Sequence, residues 1–148
     1  MTGITGIAGG RRAPLGFSLI EMLVALLLLG IVASLAWPAY NQHVLRAHRA
    51  QARAGLLQAA HRLEREATAA GAYPNAELPD ALASVPGNRY RISRQKPADA
   101  TDAGIRFLLF ATPQGAQASD RCGTFTLSSA GERGLISNEA KIADCWNR

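Results

Sequence analysis

An uninterrupted apolar stretch occupies the early part of the sequence. Between positions 17 and 40 the only charged residue is Glu21. A helix of these 24 residues would extend about 36 Å, which exceeds the roughly 30 Å hydrocarbon core of a bilayer. The pattern therefore predicts a single membrane-spanning helix over residues 17–40.

The helical pattern continues beyond position 40 but becomes amphipathic. Apolar residues recur at helical spacing at Leu45, Ala52, Leu56, Ala59, Ala60 and Leu63. Arginines take the other faces, at Arg46, Arg49, Arg53, Arg62 and Arg65. Gly71 and Pro74 are stop signals, so the sequence predicts one helix over residues 17–69. The stripe formed by the first three arginines is expected to meet lipid headgroups or neighbouring subunits.

Two residues interrupt the apolar half of this helix. Gly30 weakens a helix interior, and Pro38 removes one backbone N–H and crowds the carbonyl of Ser34. A kink or a readily melted stretch is expected between Gly30 and Pro38. Alternatively, Pro38 marks the point where the helix leaves the membrane.

Residues 89–94 alternate between apolar and polar side chains, which is typical of a half-buried strand. Tyr90 and Ile92 lie on one side of this segment. The other side carries Arg89, Arg91 and Ser93.

Further short strands follow along the chain. Residues 105–112 and 123–128 predict two of them, and Leu135 begins a short fourth strand. Prolines and glycines over residues 72–88 predict a connecting loop. A long helix followed by a small antiparallel sheet is an α+β arrangement.

The charges before the apolar stretch predict its orientation. Arg11 and Arg12 precede it, and no acid lies before Phe17. A positive flank predicts a cytoplasmic N-terminus and an exported C-terminal part. A secretory signal also begins with positive charge, but the candidate small residue, Gly16, lies before the apolar stretch instead of after it.

The two cysteines, Cys122 and Cys145, lie near the end of the chain. In an exported, oxidising environment they are expected to form a disulfide, which would stabilise the fold by about 3 kcal/mol. A two-cysteine metal site is the competing interpretation. It is disfavoured because the three histidines lie far away in sequence, at His43, His48 and His61.

Composition and motifs narrow the function classes. Residues 41–148 carry fourteen Lys and Arg against ten Asp and Glu, a net charge of +4. This mild excess does not by itself indicate nucleic-acid binding. The sequence contains no Gly-rich phosphate loop, nucleophile elbow or metal-ligand spacing. It therefore predicts a protein that is not an enzyme, with no catalytic residue, cofactor or metal.

The segment Gly16-Phe17-Ser18-Leu19-Ile20-Glu21-Met22-Leu23-Val24-Ala25-Leu26 resembles the leader junction of type IV pilins and of type II secretion pseudopilins. The resemblance implies that a prepilin peptidase cuts after Gly16 on the cytoplasmic side. The same enzyme would methylate the new amine on Phe17. Residues 1–16 would then be a leader peptide that is removed.

Glu21 is a candidate functional residue on physical grounds. A lone carboxylate in an apolar span is costly and is expected to have a partner, although a position near the membrane edge would let it reach water. In the resembling family the partner is the α-amine of Phe17 in a neighbouring subunit. The family's helix also unwinds on assembly between positions like Gly30 and Pro38.

The C-terminal part extends the resemblance to minor pilins of the PilE/ComP-like group. It rests on a helix ending through Leu63-Glu64-Arg65 and Gly71-Ala72-Tyr73-Pro74, and on Cys122-Gly123-Thr124-Phe125-Thr126-Leu127 followed by Gly131 and Cys145-Trp146. The implied fold is a long N-terminal helix packed on a small antiparallel sheet with a C-terminal disulfide loop, 122–145. Pseudopilins usually lack this loop, so a pilus subunit is favoured and a type II secretion pseudopilin is the alternative.

Basic residues cluster in two parts of the sequence. One group is Arg89, Arg91, Arg94 and Lys96, and the other, in or beside the disulfide loop, is Arg121, Arg133 and Lys141. ComP-like minor pilins capture DNA on such an electropositive face, which implies salt-dependent DNA binding here. Alternatively, the arginines of 89–94 form a solvated strand face that guards a sheet edge against aggregation.

The predicted organisation has three parts. Residues 1–16 are the leader, residues 17–40 the membrane and assembly half of the helix, and residues 41–148 the exported part, called the head below. The protein is expected to span the inner membrane once, with the head in the periplasm, before assembly into a cell-surface pilus. The implied partners are prepilin peptidase, other pilin subunits, the inner membrane and DNA.

Overall fold

The structure, a computed structural model, describes residues 16–95, 104–137 and 139–147. The chain divides into two compact units, with the boundary between Ala39 and Tyr40. Most of the leader and the candidate DNA-binding residue Lys96 lie outside the described residues.

Helix α1 runs from Leu19 to Ala70 and contains Pro38 within it. The predicted helix over 17–69 is therefore confirmed to within two residues at each end. Side chains up to residue 43 are exposed. Within the described residues, α1 is the one helix long and apolar enough to cross a membrane by length and composition.

Four antiparallel strands form one sheet in the order β1-β2-β3-β4. They are β1 Tyr90–Arg94, β2 Leu108–Pro113, β3 Thr124–Ser128 and β4 Arg133–Ile136. The predicted first and third strands match closely. The fourth begins two residues before the predicted Leu135.

The predicted start of the second strand at Ile105 is wrong. Gly104 has a φ of +82° and lies in a turn. Its carbonyl accepts a hydrogen bond from the Tyr73 N–H at 2.9 Å, so this segment is bound to the chain that follows α1. The side chain of Ile105 is 70% exposed, and β2 begins only at Leu108.

Short helices occur outside the elements that the sequence predicted, two of them within the predicted loop over residues 72–88. α2 spans Asp80–Ala83 and α3 spans Ile142–Trp146, and single 3₁₀ turns cover Pro86–Asn88 and Gly115–Gln117. Segments of three to five residues contain too little periodic pattern to be recognised as helices.

The core of the head lies between α1 and one face of the sheet. The helix contributes Ala52, Leu56, Ala59 and Leu63, and the sheet contributes Tyr90, Ile92, Leu109, Ala111, Phe125 and Leu127. These side chains are at most 3% exposed. The alternation predicted for residues 89–94 is confirmed, because Tyr90 and Ile92 are buried and Arg91 and Ser93 are exposed.

The C-terminal segment is joined to the sheet covalently and by packing. Cys122 and Cys145 form the predicted disulfide, with their Cα atoms 5.9 Å apart. The ring of Trp146 packs edge-to-face on Phe125 at 5.6 Å between centroids, and its N–H donates to the Gly134 carbonyl at 2.9 Å. α3 is therefore fixed beside β4.

Gly123, between Cys122 and β3, gives a stability prediction. Its φ is +58°, and an added Cβ would lie 2.4 Å from the Ile136 carbonyl oxygen. Gly123→Ala should lower the free energy of unfolding by about 2–4 kcal/mol because backbone strain and the clash add. Urea denaturation of the two proteins measures this difference.

Gly131→Ala is the matched control. Gly131 also has a positive φ, +78°, but an added Cβ meets nothing within 4 Å. It should cost only about 1–2 kcal/mol, the price of the backbone conformation. Equal losses in the two variants would contradict the clash.

Candidate functional site

The two ends of the sheet differ in what they carry. At one end of the sheet, β1 and β3 begin and β2 and β4 finish. This follows from the register, in which Tyr90 pairs with Pro113 and Thr124 pairs with Ile136. We call this the disulfide end, since Cys122 lies two residues before β3. The opposite end, which carries the Ser128–Glu132 turn, is called the turn end.

Three of the candidate DNA-binding residues lie at the disulfide end. Arg89 directly precedes β1, Arg91 is exposed near the start of β1, and Lys141 follows the segment that leaves β4. Arg91 occupies the solvent face of the sheet in register with Thr112. None of the three cations forms an ion pair with another described residue.

Two other candidates, Arg94 and Arg133, lie at the turn end. The register places both in one row with Leu109 and Leu127, whose side chains are buried. They therefore lie on the helix-facing side of the sheet, at its opposite edges, separated by three strand spacings or about 14 Å. The structure thus divides the candidate set instead of bringing it together.

Arg94 is largely occupied with packing. It is half-buried, and its Nη1 donates to the Pro74 carbonyl. Its Nε and Nη2 are enclosed and have no acceptor among the described residues. Burial lowers the pKa of the guanidinium. A cation enclosed in this way is poorly placed to meet DNA.

Arg133 has a more accessible position. Its guanidinium carbon lies 5.3 Å from the centroid of the Trp146 ring, a cation–π contact. The side chain remains exposed, so Arg133 can both cover Trp146 and meet solvent.

A cleft beside β1 brings acids near Arg91. It lies between β1 and the segment that contains α2, and its lining includes Glu77, Asp80, Arg91 and Arg94. The two carboxylates partly offset the charge of Arg91 on this side. The positive character of the disulfide end therefore rests more on Arg89 and on the residues beyond β2.

A buried ion pair links α1 to the loop between β2 and β3. Arg49 Nε donates to Asp120 Oδ2 at 2.7 Å, and Arg49 Nη2 donates to Oδ1 at 2.5 Å. The side chains are 5% and 1% exposed. Arg49 was predicted to lie on an outer face of the helix, available to lipid or to other subunits. That prediction is wrong, because Arg49 is buried and paired with Asp120.

Polar neighbours complete this network. Gln117 Nε2 donates to Asp120 Oδ2 at 2.9 Å and to the Tyr90 hydroxyl at 3.2 Å. The Tyr90 hydroxyl is also 3.3 Å from Asp120 Oδ2. His48 Nδ1 lies 3.0 Å from Gln117 Oε1, so this half-buried histidine belongs to the network.

The pKa shifts follow from burial and pairing. Burial opposes ionisation of Asp120, but the hydrogen bonds and charge of Arg49 outweigh it, and the pKa of Asp120 is lowered. The hydrogen bond to Asp120 raises the pKa of Arg49 in turn. Burial raises the pKa of the Tyr90 phenol. The network therefore contains one carboxylate and one guanidinium, both charged at neutral pH.

Arg53, one helical turn after Arg49, binds the other arm of the disulfide. Its Nη1 donates to the carbonyl of Cys145 at 3.1 Å and to that of Trp146. Burial lowers its pKa, as do the charges of Arg49 and Arg133. Residues four apart share one face of a helix, so one face of α1 holds both segments that the disulfide joins.

Sequence reasoning missed this pair for a physical reason. Both residues are charged, and Asp120 lies 71 positions from Arg49. One signal was available: Arg49 lies at spacing 3, 7 and 10 from the buried Ala52, Leu56 and Ala59, which places it on the core face of the helix.

The N-terminal site residues lie in the other unit. Phe17 is 77% exposed, Gly16 directly precedes it, and Glu21 lies in the first turn of α1. An added Cβ at Gly30 meets nothing within 4 Å, and α1 continues through both Gly30 and Pro38.

Two family models match the chain, one over most of its head and one over its N-terminal part. A family model described as type IV minor pilin ComP, DNA uptake sequence receptor, matches residues 38–126. A second, the prokaryotic N-terminal methylation motif, matches residues 11–37. No curated protein sequence matches the chain.

Solved structures resemble the fold. A type IV pilin from Shewanella oneidensis is 29% identical with a TM-score of 0.50, over 66% of this chain and 98% of its own. The non-core minor pilin PilV from Neisseria meningitidis is 18% identical with a TM-score of 0.51, over 68% of this chain and 94% of its own. At that identity PilV supports the fold alone.

The long N-terminal helix, the four-stranded antiparallel sheet and the C-terminal disulfide define a type IV pilin. Because the minor-pilin model covers more than half of the sequence, the chain belongs to the family of the type IV minor pilin ComP, the DNA uptake sequence receptor. This match favours a pilus subunit over a secretion pseudopilin.

The buried pair gives a prediction for the pH dependence of stability. The unfolded chain protonates Asp120 near its ordinary pKa of about 4, whereas the folded protein, with a lowered pKa, resists protonation. The contribution of the pair is therefore complete above about pH 4 and is lost as the pH falls through the folded pKa. Urea denaturation from pH 6 downward measures the loss.

The double variant Arg49→Met with Asp120→Leu serves as the control. It removes both charges together and leaves neither buried without its partner. Its stability should fall less between about pH 4 and pH 2 than that of the unaltered protein. Identical pH profiles would contradict the assignment of the acid sensitivity to this pair.

Proposed function

We propose that this minor pilin binds double-stranded DNA through the disulfide end of its sheet, for DNA uptake. The observation that carries the proposal is the placement of Arg89, Arg91 and Lys141 at one end of the sheet. The family description, a DNA uptake sequence receptor, supports the choice of ligand. Cations without ion-pair partners are suited to phosphate oxygens.

Processing at Gly16-Phe17 belongs to the same proposal. A prepilin peptidase would cleave after Gly16 on the cytoplasmic side and methylate the amine of Phe17. The methylation-motif match across this junction supports it. The chain would lie in the inner membrane through residues 17–40, with the head in the periplasm, until it joins other subunits in a surface pilus.

Assembly would depend on Glu21. In an apolar filament core the carboxylate needs a positive partner, and the amine that cleavage creates on Phe17 of a neighbouring subunit would supply it. Melting of α1 between Gly30 and Pro38 would accompany assembly, since both residues weaken helical hydrogen bonding.

Glu21→Ala tests the assembly role. The variant should be cleaved and inserted into the membrane, because removing a charge from an apolar span eases insertion. Its amount in sheared pili should drop at least tenfold because the proposed pairing with the Phe17 amine of a neighbouring subunit would be lost. Undiminished incorporation would contradict the pairing, and cleavage anywhere but before Phe17 would contradict the processing site.

Arg89→Gln tests DNA binding at the disulfide end. The variant should weaken binding of duplex DNA by the detergent-solubilised protein, and the slope of log affinity against log salt should decrease by about one. Fluorescence anisotropy across a series of salt concentrations gives both quantities.

Arg65→Gln is the matched control. It removes the same charge from an exposed position on α1, on the segment that leads toward the turn end. Its affinity and salt slope should stay close to those of the unaltered protein. Equal losses in the two variants would indicate a diffuse charge effect and contradict a site at the disulfide end.

A further inference from the structure

The loop between β2 and β3 is wound tightly by its own backbone. Successive N–H groups donate three residues back: Gln117 to Gln114 at 3.1 Å, Asp120 to Gln117 at 2.9 Å and Gly123 to Asp120 at 3.0 Å. The Gln114 N–H also donates to the Arg89 carbonyl at 2.9 Å. The loop is thus a series of turns fixed to the start of β1.

Arg121 occupies the last of these turns and is held from both sides. Its predecessor, Asp120, is bound by Arg49 of α1, and its successor, Cys122, is in the disulfide. The Cys122 N–H also donates to the Asp120 carboxylate. The carbonyl of Arg121 accepts a hydrogen bond from Ser137 Oγ at 2.6 Å.

In contrast to this fixed backbone, the side chain of Arg121 is exposed to solvent. It forms no ion pair with any residue in the described ranges. It lies at the disulfide end, between the start of β1 with Arg89 and the segment after β4 with Lys141. A rigid backbone here carries a solvated, unpaired cation.

We propose that Arg121 is a further DNA-phosphate contact and that the buried Arg49–Asp120 pair is its positioning element. A guanidinium can bind phosphate with two parallel hydrogen bonds. A contact whose backbone is already fixed loses less conformational freedom on binding. The exposed acid Glu139 lies nearby, because its N–H donates at 3.2 Å to the same Ser137 Oγ that binds the Arg121 carbonyl, but it forms no ion pair with Arg121. This inference rests on the proposed DNA binding.

The network explains why an ion pair is buried at this position. Burial of two charges is a poor way to gain stability, because their desolvation offsets most of their attraction. The same pair does fix the direction in which Asp120, and so the next residue, leaves the loop. The main contribution of this pair is therefore to hold the backbone of Asp120, and with it Arg121, in one position.

Arg121→Gln tests the contact in full-length protein in detergent. Duplex affinity should fall about tenfold, and the salt slope should decrease by about one. The loss should be equal for two duplexes of unrelated sequence, since a phosphate contact carries no sequence information. Arg121→Lys should recover part of the affinity, and Arg65→Gln is the control. Unchanged affinity, or a loss confined to one sequence, would overturn the contact.

Arg49→Met with Asp120→Leu tests the positioning role. The double variant should still fold at neutral pH, with some stability lost because Gln117, the Tyr90 hydroxyl and the Cys122 N–H lose their Asp120 acceptor. It should bind DNA about as weakly as Arg121→Gln. Adding Arg121→Gln to it should cause no further loss, because the contact is already misplaced. Full affinity in the double variant, or additive losses, would overturn the role of the pair.

Ser137→Ala gives an independent measurement that does not disturb the interior. It removes the hydrogen bond to the Arg121 carbonyl and the one from the Glu139 N–H. It should lower DNA affinity by about threefold and the free energy of unfolding by no more than about 1–2 kcal/mol. Full affinity in this variant would count against positioning of Arg121. If the unaltered protein binds no DNA at low salt, the proposed function itself fails; if it binds and Arg121→Gln binds equally, this inference alone fails.

Discussion

The buried ion pair between Arg49 and Asp120 is the interaction on which the rest of the head depends. It joins α1 to the loop before β3, and Arg53, one turn later, holds the carbonyls of Cys145 and Trp146. One face of the helix therefore fixes both arms of the disulfide. Removing one member of the pair would leave a charge in the interior at a cost of about 3–5 kcal/mol.

The arrangement separates the head into a rigid framework and a solvated surface. Apolar side chains of α1 and the sheet form the core, and the polar network adjoins it at the disulfide end. Cations that the framework does not use, Arg91, Arg121 and Lys141 among them, are exposed there. The proposed DNA binding thus depends on surface charges whose backbone the interior holds in place.

The sequence predicted the elements with strong patterns and missed those set by tertiary contacts. The long helix, the alternation around Tyr90 and Ile92, and the disulfide were predicted correctly. Ile105 was misplaced because the Gly104 turn, held by Tyr73, lies before the strand. Periodicity indicates which apolar residues are buried. It does not indicate a turn that is held by a segment distant in sequence.

The candidate site was predicted only in part, for a related reason. Charge clustering identified the arginines around β1, but alternation of side chains places Arg94 on the opposite face from Arg91. Arg133 joins Arg94 in a row with two core leucines. Residues close in sequence, such as Arg91 and Arg94, were therefore expected to share a surface, although they lie on opposite faces of the sheet. Arg49 was assigned to the surface because arginines on a helix are normally solvated, and its partner lies 71 residues away.

Amide hydrogen exchange of the full-length protein with and without duplex DNA tests the central claim most directly. The account predicts that DNA slows exchange in the segments of the disulfide end, residues 86–91, 114–123 and 139–142. Protection confined to the turn end, around residues 128–133, or to the exposed face of α1, would contradict it.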